Sequence, residues 1–277
     1  MKGSMKAVLG LAALCISSAP NALLINASDL YLNVTGDYGR IGPYNHMVIE
    51  SSFISSVDSA VCVDSKNCTP TSDTFWDIGF GQVAMLKEGG IARETGIGVD
   101  YLLDFTFDNV GGLFEDGVAI YTHGSINVTY RAFDDQAGDF VDPEQGIQVL
   151  DLILKEGQVA YGDIPVNGIF NFDFLDEMDA DDAEFSKNFF ALGWGGDIIS
   201  IFDLVTSDDY SHVDPRWFYS FNVTDIENMP YKDNGDGTFS RTLNGSSGQF
   251  YVVSEPGVLA MFGLGLCLLG VRRRQRR

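Results

Sequence analysis

The segment Asp100-Tyr-Leu-Leu-Asp-Phe-Thr-Phe107 carries apolar side chains at every second position, and this spacing is the clearest indication of the fold class. The odd-numbered residues are all aromatic or aliphatic, while Asp100, Asp104 and Thr106 fall on the other face. A period of two with aromatic residues is typical of a strand that is buried on one side. The segment therefore predicts a half-buried β-strand.

The same pattern recurs along the chain and predicts an all-β fold. Residues 126–131, 168–174 and 217–223 alternate in the same way, and residues 147–154 are almost continuously apolar, as in a central strand. Asn-Gly and Asp-Gly steps within residues 231–239 predict a hairpin. The most helix-like internal piece, residues 176–188, is short. Many strands separated by Gly, Asp and Asn turns predict an antiparallel β-sandwich, jelly-roll-like, flanked by an N-terminal signal helix and a C-terminal transmembrane helix.

The first 22 residues have the three parts of a secretory signal peptide. Lys2 and Lys6 precede an apolar run over residues 7–16, and small residues follow at 17–19. The run has no polar face, which disfavours a buried helix of a globular domain. We expect cleavage after Ala22 or Ala27, so that a mature domain begins at about residue 23.

A second apolar segment lies near the other end, over residues 258–271. As a helix its 14 residues cover about 21 Å, against about 30 Å for the hydrocarbon core of a bilayer. Its length and its glycines favour a transient stop over a permanent anchor. Arginines beside an apolar segment stay in the cytoplasm, so the body of the chain is expected on the far side of the membrane. These arginines are Arg272, Arg273, Arg274, Arg276 and Arg277.

Residues 254–277 resemble a PEP-CTERM sorting signal. Glu255 and Pro256 fit the Pro-Glu-Pro-like motif, whereas Ser254 stands where the first proline is expected. The glycine-containing apolar segment and the arginine cluster complete the pattern. The resemblance implies that an exosortase cleaves near the motif in the inner membrane of a Gram-negative bacterium. The mature domain, residues 23–253, would then be released toward the cell surface, with only transient membrane contact.

The mature region is similar, more loosely, to the flocculation-associated group of PEP-CTERM proteins. The similarity lies in the order of four segments. It implies an exported β-rich matrix component that helps cells to aggregate with extracellular polysaccharide. The segments are residues 73–79, 98–107, 124–130 and 168–174.

The charge of the chain excludes some partners. The formal net charge is −22, and removal of both predicted sorting segments makes the body still more acidic. Nucleic acids and anionic membranes need a basic surface, so neither is an expected partner. Divalent cations and a solvated acidic surface remain as alternative interpretations.

The cysteines divide into two groups. Cys15 and Cys267 lie in the predicted sorting segments, which leaves Cys62 and Cys68 in the mature domain. An even pair in an exported protein predicts a disulfide. A zinc site is disfavoured, because no second Cys or His pair stands at ligand spacing.

The acidic run that includes Asp179, Asp181 and Asp182 is the candidate metal site. Calcium takes clustered oxygen ligands, although the EF-hand spacing and its glycine are absent. A second acidic turn contains Asp233 and Asp236. We expect no other cofactor, and the alternative to bound calcium is a pair of solvated acidic loops.

Exposed tryptophans could stack on sugars, and Trp194 in Gly-Trp-Gly-Gly has the most loop-like setting. Trp76 and Trp217 are the other candidates, and Trp217 belongs to an alternating strand. For each tryptophan the alternative is a place in the core.

Catalytic signals are weak, and we predict a protein that is not an enzyme. His46, His123 and His212 are the only histidines, and no Gly-X-Ser-X-Gly elbow occurs. The leading hypothesis is a structural or adhesive matrix protein. A polysaccharide-binding module is the alternative, and a divergent secreted hydrolase, which distant residues could assemble, is the third.

Overall fold

A computed structural model describes residues 29–34, 40–115, 118–155, 163–211, 213–222 and 230–254. Strands dominate this part of the chain, and the α-helices are short. The strands are β1 (Leu30–Asn33), β2 (Arg40–Tyr44), β3 (His46–Val57), β4 (Ala60–Asp64), β5 (Asn67–Pro70), β6 (Thr74–Glu88), β7 (Ile91–Arg93), β8 (Tyr101–Glu115), β9 (Val118–Asp134), β10 (Asp139–Phe140), β11 (Ile147–Lys155), β12 (Asp163–Asn171), β13 (Phe190–Trp194), β14 (Asp197–Ser200), β15 (Val213–Asn222), β16 (Lys232–Asp233) and β17 (Phe239–Ser254). The helices are α1 (Ala180–Phe189) and α2 (Ile201–Thr206), with 3-10 turns at Pro143–Gln145, Asp173–Glu177 and Asp208–Tyr210.

Eight long strands form one antiparallel sheet that closes on itself. Going round the sheet, β3 pairs with β6, then follow β8, β9, β11, β12, β15 and β17, and β17 pairs again with β3. Each of these strands therefore has a hydrogen-bonded neighbour on both sides. Closure of this kind leaves no strand edge open for pairing with another chain.

The predicted mostly-β, antiparallel class is confirmed. The neighbours in the sheet follow the order of the chain, whereas the jelly-roll-like arrangement that we expected would place non-consecutive strands side by side. The difference has a physical origin. A period of two fixes which face of a strand is buried, but it carries no information about which strand lies next to it.

Two local predictions can be compared with the structure. The hairpin predicted over residues 231–239 is present, with Asp233 opposite Phe239. The strand predicted over residues 168–174 stops at Asn171, whose side chain accepts a hydrogen bond from the backbone N–H of Asp173 at 3.3 Å. A 3-10 turn follows, because this local side-chain bond competes with the sheet for the backbone.

The interior of the closed sheet holds the core. Phe105 and Phe107 of β8 are 1% exposed, and Val128 of β9 and Leu152 of β11 are completely buried. These side chains occupy the inward positions predicted from the alternating segments. Opposite walls of the sheet thus pack across a shared apolar centre, as the two layers of a sandwich do.

A smaller four-stranded sheet, in the order β14-β13-β1-β2, lies with α1 at one end of the closed sheet. Tyr130 stacks on Tyr101 with ring centroids 5.5 Å apart, and Phe185 and Phe189 of α1 pack against the same Tyr130 ring. The Tyr130 hydroxyl donates to the carbonyl of Val34 at 3.3 Å. We call the four-stranded sheet and α1 the cap. An aromatic cluster therefore joins the cap to the closed sheet.

The hairpin of β4 and β5 lies beside the opposite end. The sulfur atoms of Cys62 and Cys68, the pair expected to form a disulfide, are bonded at 2.02 Å. Cys68 also exchanges two backbone hydrogen bonds with Tyr231, at 2.9 and 3.1 Å. The disulfide hairpin is thereby tied to the segment that leads into β17.

The predicted signal helix and the predicted apolar tail fall outside the described residues. Among the residues that the structure does describe, no helix is both long and apolar enough to span a bilayer.

Gly124 lies where the backbones of β8 and β9 approach each other closely. Its φ of +127° is rarely adopted by other residues, and a Cβ placed on it would lie 2.4 Å from the Cα of Val110. Gly138 also has a positive φ, of +71°, but nothing lies within 4 Å of the same position. Of these two glycines, Gly124 alone combines a positive φ with a steric clash.

We expect Gly124→Ala to lower the free energy of unfolding by about 2–3 kcal/mol more than Gly138→Ala, because overpacking adds to the shared backbone cost. Urea unfolding of the two variants and the parent protein measures the difference. Equal losses in the two variants would show that β8 and β9 separate easily at this point.

Candidate functional site

A buried carboxyl lies near the disulfide end of the closed sheet. Asp77 of β6 is 1% exposed and sits opposite Ser55 of β3, which is 2% exposed. The Tyr121 hydroxyl of β9 donates to Oδ2 of Asp77 at 2.6 Å. Three strands of the closed sheet thus place polar groups in one apolar interior.

Tyr231 connects this cluster to the disulfide hairpin. Its hydroxyl lies 3.3 Å from the Ser55 hydroxyl, within hydrogen-bond distance. The guanidinium carbon of Arg241, on β17, lies 4.6 Å from the centroid of the Tyr231 ring, which is the geometry of a cation–π contact. We call Ser55, Asp77, Tyr121, Tyr231 and Arg241 the buried polar cluster.

Burial dominates the electrostatics of the cluster. It raises the pKa of Asp77 to about 6, although the Tyr121 and Ser55 hydroxyls and the charge of Arg241 each lower it. Burial, followed by the nearby Asp77 charge, raises the pKa of Tyr121 well above its usual value. Oδ1 of Asp77 is buried and has no hydrogen-bond partner among the described residues.

The arrangement links strands rather than exposing a reactive group. A carboxyl that is 1% exposed cannot touch a dissolved substrate while the sheet stays closed. An ionised carboxylate in such a site is costly unless it is paired, which accounts for the preference of Asp77 for its neutral form. The chemistry available to the cluster is therefore a proton-dependent contribution to stability.

Asp77 was missed by the sequence interpretation, although the sequence carries a signal for it. Phe75 and Asp77 lie two residues apart and hence on one face of β6, so the acid interrupts an inward-facing pattern. A charged residue at an apolar position of a strand points to a buried polar group. Its hydrogen-bond partner, Tyr121, and its neighbour Ser55 follow only from the pairing of distant strands.

The candidate sugar-binding residue Trp194 ends β13, opposite Asp197. The two glycines that follow have φ values of +63° and +98°, which makes a tight hairpin turn. The Trp194 side chain is half-buried and packs against the core. Trp76 is also half-buried, and the Trp217 side chain lies outside the described residues.

The candidate calcium ligands have a structural role at the start of α1. Oδ1 of Asp179 accepts hydrogen bonds from the backbone N–H groups of Asp181 at 3.1 Å and Asp182 at 3.0 Å, as an N-terminal helix cap does. Burial and the two neighbouring carboxylates raise the pKa of Asp182. Within the described parts of the chain, no three acidic, His or Cys residues are grouped to hold a metal. Calcium binding stays a prediction.

The structure does not bring His46 and His123 together. His46 pairs with Lys87 near the capped end, where burial lowers its pKa, whereas His123 lies opposite Gly111 near the disulfide end. Nδ1 of His123 is 3.0 Å from the Thr122 hydroxyl. His212, Glu255, Pro256 and the arginine cluster fall outside the described residues.

No family model matches this chain, and neither the curated proteins nor the solved structures include a significant match to it.

We expect the stability of the protein to fall as pH rises from about 4 to about 6 because of Asp77. Its pKa is raised from 3.8 in the unfolded chain to about 6 in the folded one, so the folded state holds the proton more tightly across this window. The full effect is about 3 kcal/mol. Asp77→Asn keeps an acceptor for Tyr121 and removes the titration, so it should remove this decline.

Urea unfolding of the parent and of Asp77→Asn, at about pH 4 and about pH 7, measures the effect. Asp236→Asn is the control, because Asp236 lies in an exposed turn where hydrogen bonds from Thr238 lower its pKa. Its removal should change the pH dependence weakly and with the opposite sign. An unchanged decline in Asp77→Asn would contradict the assignment.

Proposed function

We propose that this chain is an exported bacterial surface or extracellular-matrix protein with a structural or adhesive role in exopolysaccharide-associated aggregation, as in flocs or biofilms. The observation that carries the proposal is the tail over residues 254–277, in which a Glu-Pro motif, a short apolar segment and an arginine cluster follow one another. An exosortase is the processing partner that such a tail requires.

The last described strand reaches the residues where cleavage is proposed. Strand β17 ends at Ser254, which pairs with Val213 of β15. A cut beyond Ser254 would leave every described residue of the paired strands in place. The folded body could therefore be released without loss of a strand from the closed sheet.

The disulfide and the charge agree with a location outside the cytoplasm. Disulfides persist in oxidising compartments and are rare in the cytoplasm. The formal charge of −22 favours solubility and repels anionic surfaces. We propose that residues 1–22 form a cleaved signal helix and that residues 258–271 form a helix that spans the inner membrane only until cleavage.

A role without catalysis agrees with the placement of the titratable groups. His46 and His123 lie toward opposite ends of the closed sheet, and Asp77 is shielded from solvent. A polysaccharide-binding module is the second candidate function. It is favoured by a strongly exposed aromatic side chain, Phe80, on the outside of the sheet.

We expect the protein recovered from the cell surface or the medium to lack both sorting segments. Mass spectrometry of the intact released protein should show an N-terminus after Ala22 or Ala27 and a C-terminus near Ser254. Replacement of Glu255 and Pro256 by alanine should leave an uncut form in the inner membrane. Asp236→Ala, which is outside the tail, is the matched control.

A strain that lacks the gene tests the adhesive role. Deletion of the gene should reduce aggregation or matrix retention without removing any hydrolytic activity. Recovery of the intact chain, with both segments attached and soluble in the cytoplasm, would overturn the proposal.

A further inference from the structure

We infer that the outer face of β3, β6, β8 and β9 binds a neutral polysaccharide chain. This inference rests on the proposed function and names a site for it. We call this surface the Phe80 face. It consists of two neighbouring cross-strand rows of side chains, Ser52, Phe80, Thr106 and Asn127 in the first row and Glu50, Gln82, Asp104 and Thr129 in the second.

The register places both rows on the outside of the closed sheet. Phe80 lies opposite Ser52 on one side and Thr106 on the other, and Thr106 lies opposite Asn127. The residues between them along the strands, such as Phe105, are buried in the interior. Neighbouring strands are about 4.8 Å apart, so each row forms a continuous line of side chains across four strands.

The polar groups of the second row are held in place before any ligand arrives. The Gln82 amide donates to Oδ1 of Asp104 at 2.8 Å, and the guanidinium of Arg131 donates to Oδ2 at 2.9 Å. Arg131 is itself fixed by a 2.6 Å bond to the carbonyl of Val141. Groups that are already ordered lose less conformational entropy when a ligand binds.

The band of polar groups continues beyond these four strands. Asp151 of β11 lies opposite both Asn127 and Asn171 of β12. The Asn171 amide donates to Asp151 at 2.9 Å, and the Gln148 amide donates to Asn127 at 3.2 Å. A band that crosses six strands suits an extended chain better than a single small molecule.

Phe80 supplies an apolar platform beside the polar groups. Its side chain is 71% exposed, and its neighbours Ile78 and Ile54 are 59% and 54% exposed. Ile54 and Ile78 face each other directly across β3 and β6. Contiguous exposed apolar residues on a soluble surface often mark a binding site.

The chemistry of the Phe80 face matches a neutral sugar. Hydroxyl groups both donate and accept hydrogen bonds, and the face offers amide donors together with carboxylate and hydroxyl acceptors. The flat apolar side of a sugar ring can lie on an exposed phenyl ring. Glu50 and Asp104, on a chain of net charge −22, disfavour an anionic polysaccharide. The same repulsion disfavours a second copy of this chain.

The test compares variants of the purified protein by affinity electrophoresis in gels that contain dextran, a galactomannan, soluble cellulose or the exopolysaccharide of the producing cells, with alginate as the anionic comparison. Phe80→Ala should weaken retention by about tenfold. Thr106→Glu, which projects a charge beside Phe80, should weaken it at least as much. Ile91→Ala is the control, because Ile91 is 64% exposed but lies on β7, outside the face.

Retention of the parent protein and of Ile91→Ala by at least one neutral polysaccharide, with loss in both face variants, supports the inference. Trp194→Ala is included because Trp194 is the rival platform. Loss of retention in Trp194→Ala alone, equal retention of all variants, or no retention of the parent would overturn the Phe80 face. A dimer of the parent protein in size-exclusion chromatography that is dissociated by Phe80→Ala would also overturn the inference. Mass spectrometry of the released protein tests export independently of these results.

Discussion

The pairing of β17 with β3 is the interaction on which the rest of the structure depends. It joins the last described strand to the first long strand, from Phe239 opposite Val57 to Gly248 opposite Met47, and so converts a row of hairpins into a closed sheet. Contacts this far apart in sequence have a high entropic cost of closure, which the apolar interior must offset. Once closed, the sheet has an inside that is sealed from water and an outside that is the surface available to partners.

The two ends of the closed sheet are filled in different ways. At the capped end, rings such as Tyr130 and Phe189 fill the space between the closed sheet and α1. At the other end Ser55, Asp77 and Tyr121 face inward. They lie near the segment around Tyr231, which is hydrogen-bonded to the disulfide hairpin. A neutral Asp77 keeps its bond to Tyr121 at little cost. An ionised Asp77 is stabilised by the Tyr121 and Ser55 hydroxyls and by the charge of Arg241, but these do not fully offset its burial. The buried carboxyl therefore lowers the stability of the protein at neutral pH, but it joins β6 to β9 through a specific hydrogen bond.

Much of the fold could be predicted from the sequence, because burial on one face leaves a period of two. Phe105 and Phe107 were assigned correctly to the inside, and Cys62 and Cys68 are bonded, as predicted for an even pair of cysteines in an exported protein. The order of strands, the closure and the buried polar cluster could not be predicted. They depend on the register between distant strands, which turn chemistry and alternation leave open. The Phe80 face could not be predicted from the sequence for the same reason, because its two rows exist only after four strands are aligned.

The closed sheet also constrains how the protein can act. The eight long strands are all paired, so the closed sheet cannot capture a partner by adding a strand. Recognition by this sheet must use side chains on its outer surface. The chain carries a formal net charge of −22, which leaves neutral or cationic partners as the physically favoured ones. A repetitive neutral polysaccharide would meet this condition and could contact many copies of the protein at once. A matrix role consequently needs neither a deep cleft nor a reactive group, only a rigid outer face and delivery to the cell surface.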